Sequence, residues 1–128
     1  MYDEGNGSFA LGVQTLDSES STGYNMALGY QVMKNTDGGQ YNLGIGYQTL
    51  LSNTTGSDNV AIGSTSLYTA STASGNTALG SNALKLTTGD NNTGLGRSAL
   101  EDNSTGANNT AVGKSALANN TTAADNTA

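Results

Sequence analysis

Few side chains in this sequence can do chemistry, and their spacing defines no reaction centre. The carboxylates Asp17, Glu19, Asp37, Asp58, Asp90, Glu101, Asp102 and Asp125 sit in segments rich in Asn, Ser, Thr and Gly. Oxygens of this kind beside Asn carbonyls suit Ca²⁺. The calcium-binding nonapeptide pattern is absent, however, and most repeats carry no acid at the equivalent place. They read as a solvated acidic edge. Glu101 and Asp102 do not make an acid/base pair either, because neighbours on an extended chain point to opposite faces. His and Cys are both missing. Disulfides, thiolate chemistry, His-based triads and Cys/His zinc sites are thereby excluded. No metal, cofactor or enzymatic activity is expected.

Amides, hydroxyls and phenols remain. The sequence holds many Asn-x-Ser/Thr triplets, among them Asn6-Gly7-Ser8, Asn91-Asn92-Thr93, Asn108-Asn109-Thr110 and Asn119-Asn120-Thr121. Such triplets arise readily in an Asn- and Thr-rich chain; Asn53, Asn103 and Asn120, placed in expected surface turns, are the candidate glycan acceptors. Tyr2, Tyr24, Tyr30, Tyr41, Tyr47 and Tyr68 all fall in the N-terminal part. They suit capping or assembly contacts, with sugar binding as the other use of an exposed phenol. The net charge of −6, with four scattered basic residues, argues against nucleic acid as a partner. No apolar run approaches the ~20 residues of a membrane-spanning helix. Met1-Tyr2-Asp3-Glu4 leads almost directly into the first repeat, with no secretory signal in view.

The sequence that carries these residues runs on a fixed beat of 17. Glycines fall at Gly12, Gly29, Gly46, Gly63, Gly80, Gly96 and Gly113, with one interval shortened to 16. Numbering the consensus N-T-A-L-G-x-x-A-L-x-x-N-T-T-G-x-x from its first residue, position 1 is Asn25, Asn42, Asn59, Asn76, Asn92 and Asn109, preceded by Ser8. Position 3 is small, from Ala10 and Ala27 through Gly44 to Ala111, and position 4 is aliphatic, from Leu11 to Val112. Position 9 is Leu16, Met33, Leu50, Leu67, Leu84, Leu100 and Leu117. The shortened repeat loses its residue in the turn at Thr87-Thr88-Gly89, where deletions are tolerated. The chain stops at Asn126-Thr127-Ala128, part-way through an eighth motif, as a piece of a longer array would.

A repeat this regular specifies stacked units. Helical units are excluded by the abundance of Gly, Asn, Ser and Thr. The pattern predicts an all-β fold, a parallel β-roll or β-solenoid of about seven 17-residue coils over 8–128, with 1–7 as cap or lead-in. Stacking turns each consensus position into a row. Positions 4 and 9 become aliphatic ridges, and position 1 becomes an Asn ladder with amides bonded from coil to coil. Position 5 requires Gly for φ > 0 or close backbone approach. Two large aliphatics per repeat are little core for 17 ordered residues. Burial between chains is therefore expected, most simply in a homotrimer around the small-residue face. Position 2 runs Phe9, Met26, Leu43, Val60, Thr77, Thr93, Thr110; only the last copies are Thr, so the face is mixed rather than flat and uniform, and an ice-binding solenoid is the lesser alternative.

Asn59-Val60-Ala61-Ile62-Gly63, Asn76-Thr77-Ala78-Leu79-Gly80 and Asn109-Thr110-Ala111-Val112-Gly113 resemble the head repeats of YadA-like trimeric autotransporter adhesins. The stretch Asn42 to Gly63 resembles the related repeats of phage tail-fibre-like proteins. The resemblance covers Ser8 to Ala128 and implies a left-handed parallel β-roll assembled as a trimeric rod. Those adhesin heads repeat at a shorter interval, so a longer turn or outer strand is expected here. The implied function is a non-enzymatic fibre or adhesin segment on a cell surface or virion, whose turns meet a host-surface glycan or matrix. A self-assembling extracellular filament is the alternative.

Overall fold

Positions 2 to 4 of each repeat set a bulky or β-branched residue, a small residue and an aliphatic in sequence, which suits a pleated, half-buried strand. The computed structural model describes residues 7–18 and 23–128, and each of these triplets forms a strand. The strands are β1 (Phe9–Val13), β2 (Met26–Tyr30), β3 (Leu43–Tyr47), β4 (Val60–Ile62), β5 (Thr77–Leu79), β6 (Thr93–Leu95) and β7 (Thr110–Val112). They form one parallel sheet in chain order, so the protein is an all-β parallel solenoid of about six turns. No helix occurs among the described residues. The first three strands run on to position 6, where Val13, Tyr30 and Tyr47 favour extension. The later ones stop at position 4, before Ser64, Ser81, Arg97 and Lys114.

Register is kept throughout: Ala27 faces Gly44, Ala61 faces Ala78, and the bridge Thr110–Thr127 continues the series. The shortened repeat leaves it undisturbed, with Ala78 opposite Gly94. Past the strand, the chain turns through left-handed residues at positions 7 and 9, such as Gln48 (φ 52°) and Leu50 (φ 52°). These alternate the direction of the backbone bonds. The position 7 amide donates to the preceding coil (Gln48 N to Tyr30 O, 2.8 Å), and the position 9 amide to the following one (Leu50 N to Ser66 O, 3.1 Å). Each coil is thus bonded on both sides.

The core lies inside the coil and corrects one expectation. The small residues of position 3 face inward, with Ala27, Ala61, Ala78 and Ala111 wholly buried against Met33, Leu50, Leu67, Leu84 and Leu100 of position 9. They do not form an outer face for a trimer axis. The interior is too narrow for two large rows, so the leucines of one wall require alanine or glycine on the other. The position 4 aliphatics lie on the outer side of the strand instead. The expected lead-in 1–7 is described only at Gly7; Tyr2, Asn6 and Glu19 lie outside the described residues.

Candidate functional site

The outer side of the sheet is the most distinctive surface of the molecule. Strand alternation turns positions 2, 4 and 6 outward wherever position 3 is buried. Leu11 (48% exposed), Leu28 (39%), Leu79 (38%) and Val112 (60%) mark the central row from end to end. Met26 stands beside them at position 2, and Val13, Tyr30 and Tyr47 at position 6. Contiguous apolar surface of this kind is rare on soluble monomers and marks contact sites. It changes character along the axis: position 2 passes from Phe9, Met26, Leu43 and Val60 to Thr77, Thr93 and Thr110, while position 6 ends in Arg97 and Lys114.

Tyrosine ladders flank this face near its N-terminal end. Tyr30 and Tyr47 stack across β2 and β3 with ring centres 5.5 Å apart and planes 7° from parallel. At position 17, on the other margin of the strand, Tyr24 and Tyr41 stack at 5.5 Å and 4°. The glutamines of position 7 continue the theme, Gln31 Nε2 donating to Gln14 Oε1 (2.7 Å) and Gln48 Nε2 to Gln31 Oε1 (2.8 Å).

The Asn ladder expected at position 1 is present and buried. Asn42 Oδ1 accepts from the backbone amide of Asn59 (3.0 Å) and from Asn59 Nδ2 (3.1 Å), while Asn59 Nδ2 also donates to Ala73 O (2.8 Å). Asn25, Asn76, Asn92 and Asn109 likewise donate to the position 15 carbonyl of their own coil. This row is scaffold. From Gly12 to Gly96 the position 5 glycines leave no room for a side chain: a Cβ on Gly29 would lie 1.9 Å from Gly46 O, at a φ of +138°. At Gly113 the space is open and only the φ of +129° favours glycine.

Two of the three glycan acceptors do not stand where expected. Asn53 and Asn103 are wholly buried at position 12, in an inner amide row hidden in the repeat's own turn. Asn103 Nδ2 donates to Gly106 O (2.8 Å) and Thr87 Oγ1 (3.1 Å). A glycan on that nitrogen has no room, so the surface-turn placement is corrected for both residues. Asn120 is half-buried and donates to Asn103 Oδ1 (2.8 Å). Asn91, Asn108 and Asn119, the first residues of the double-Asn triplets, are exposed.

The carboxylates among the described residues do not converge. Asp17, Asp37, Asp58, Asp90, Asp102 and Asp125 are exposed, and Glu101 is half-buried. Asp90 serves its neighbouring coil by accepting from Ser74 N (2.8 Å), the place that Ser74 Oγ fills for Ser57 N (3.0 Å). Among the described residues no three acids come together as metal ligands. No helix among them is long and apolar enough to cross a membrane. Comparison with known proteins finds no matching family model, curated protein or solved structure.

Proposed function

We propose that this chain is a non-enzymatic structural segment of a fibre or adhesin, a stiff rod that associates with copies of itself through the outer face of its sheet. The observation that carries this reading is the position 4 row, aliphatic and outward in every described coil from Leu11 to Val112. Burying such a strip against its equivalent on another copy recovers ~25 cal/mol per Å² of apolar surface removed from water. A left-handed roll in a homotrimer, on a cell surface or virion, is the form that the resemblance to YadA-like head repeats suggests. The exposed turns, with their Asp, Asn, Ser and Thr, would then meet solvent or a host-surface glycan or matrix.

Sedimentation equilibrium with electron microscopy tests the association. The expected result is a discrete trimer that Leu28→Lys with Ile62→Lys converts to monomers of unchanged β-content. A native monomer would overturn self-association, and open filaments would make the chain a polymer-forming protein. Binding to a glycan array separates an adhesin from a spacer. A second reading draws on Thr77, Thr93, Thr110 and Thr127, which lie in register on successive coils. A threonine row of this kind is suited to ordering water, and absence of thermal hysteresis in freezing assays would remove ice binding.

A further inference from the structure

The tyrosine ladders carry an inference that rests on ring stacking within one chain; Tyr30 and Tyr47 stand on the side of the sheet proposed for association, while Tyr24 and Tyr41 lie on its other margin. Four tyrosines form two pairs, and each pair occupies one repeat position on adjacent coils, position 17 for Tyr24 and Tyr41 and position 6 for Tyr30 and Tyr47. The rings are parallel to within 4° and 7°, and all four side chains are substantially exposed. The chain has no Cys, so it cannot staple its coils with disulfides. We propose that Tyr24–Tyr41 and Tyr30–Tyr47 are oxidative cross-linking sites, at which a peroxide-driven one-electron oxidant joins adjacent coils by dityrosine bonds.

The chemistry follows from the stacking. Each phenol loses one electron and the Oη proton to give a neutral phenoxyl radical, whose spin density is shared with the Cε carbons beside the oxygen. Two such radicals pair their electrons in one Cε–Cε bond. Each bonded carbon then loses its hydrogen as a proton, a proton returns to each oxygen, and both rings regain aromaticity. One hydrogen peroxide is reduced to two waters per cross-link. Parallel rings held on successive coils meet face to face, so the coupling is intramolecular and benefits from high effective concentration. Tyr68 has no ring in the equivalent position of either neighbouring coil, where Leu51 and Lys85 stand, and provides an internal control.

The test treats the purified full chain with a haem peroxidase and hydrogen peroxide, following dityrosine fluorescence and mapping the links by tandem mass spectrometry. The expected products join Tyr24 to Tyr41 and Tyr30 to Tyr47 within one chain, each with loss of two hydrogens, and their yield per molecule does not change on dilution. Tyr41→Phe removes the first link and leaves the second; Tyr47→Phe does the reverse. Phenylalanine keeps the stack, so both variants retain the fold, which circular dichroism verifies. Three results would each overturn the proposal: no dityrosine in the folded chain, coupling that falls with dilution, or intrachain links that persist when both substitutions are combined.

Discussion

At the scale of single residues, the repeat departs from its consensus where two coils have adjusted to each other. Coil interiors hold Leu at position 9 and Thr, Ser or Ala at position 8, except in the second repeat, where Met33 and Val32 stand. The strand laid over them carries Gly44 in place of alanine. A Cβ there would lie 2.6 Å from Val32 Cγ1 and 2.9 Å from Met33 Cε, whereas at Gly94 the nearest atom is 3.1 Å away. Gly44→Ala should therefore cost ~1–3 kcal/mol by overpacking, and Gly94→Ala distinctly less. Combining Gly44→Ala with Val32→Ala should cost less than the two single losses added together, which a double-mutant cycle of thermal melts would measure. Leu67→Ala, in contrast, removes core with nothing to fill the space and should cost ~2–5 kcal/mol.

The residue types foretold part of this. Period, register, the Asn row and the glycine row all followed from spacing, because a stacked repeat converts spacing directly into contact. Strand alternation separates positions 2 and 4 from positions 1, 3 and 5, yet it does not say which side is inside. That choice depends on how position 9 folds back. Leu50, Leu67, Leu84 and Leu100 do so with φ between 48° and 53°, a conformation that leucine seldom takes and that its type does not announce. Reading the back half as a surface turn left Asn53 and Asn103 outside, and the small core counted per repeat put the small residues on an outer face.

At the scale of elements, the ladders behave as units whose defects have one-coil consequences. The inner row at position 12 reads Thr36, Asn53, Ala70, Thr87, Asn103, Asn120. Asn103 Oδ1 accepts from Asn120 above it, but above Asn53 stands Ala70, and Asn53 Oδ1 is buried without a partner. Ala70→Asn should supply the missing donor and stabilise the solenoid by ~1 kcal/mol or more. Unchanged or lower stability in chemical denaturation would show that the coil cannot accept the larger side chain. In the position 1 ladder, Asn59→Ala strands the Asn76 amide and the Ala73 carbonyl together. At ~1–3 kcal/mol for each buried group left unpaired, it should be among the most damaging polar substitutions.

At the scale of the whole molecule, interior coils lie between two complete coils. The coil that begins at Asn109 is followed among the described residues only by 126–128, which bond to its strand and leave its position 9 uncovered. Leu100 is wholly buried, but Leu117, its equivalent, is only half-buried. Stability in such an array is a sum of nearest-neighbour terms. Native-state hydrogen exchange should therefore show the greatest protection between Asn59 and Asn103 and a decline towards Ala128. A flat profile would mean that the array opens as one cooperative block.

The bonds between coils also have a fixed reach. The Asn ladder joins residues 17 apart, or 16 across the short repeat, and the position 9 amides reach forward by a similar interval. No contact class in the solenoid depends on how many coils there are. A gene that duplicates one unit adds a coil whose partners are already specified, and one that deletes a unit closes the gap with bonds of the same kind. The distance between distant recombination points therefore matters little to folding, since loop closure never spans more than about one repeat. Length can therefore change with the backbone and Asn-ladder bonds intact, provided that adjusted pairs such as Gly44 over Val32 and Met33 stay together.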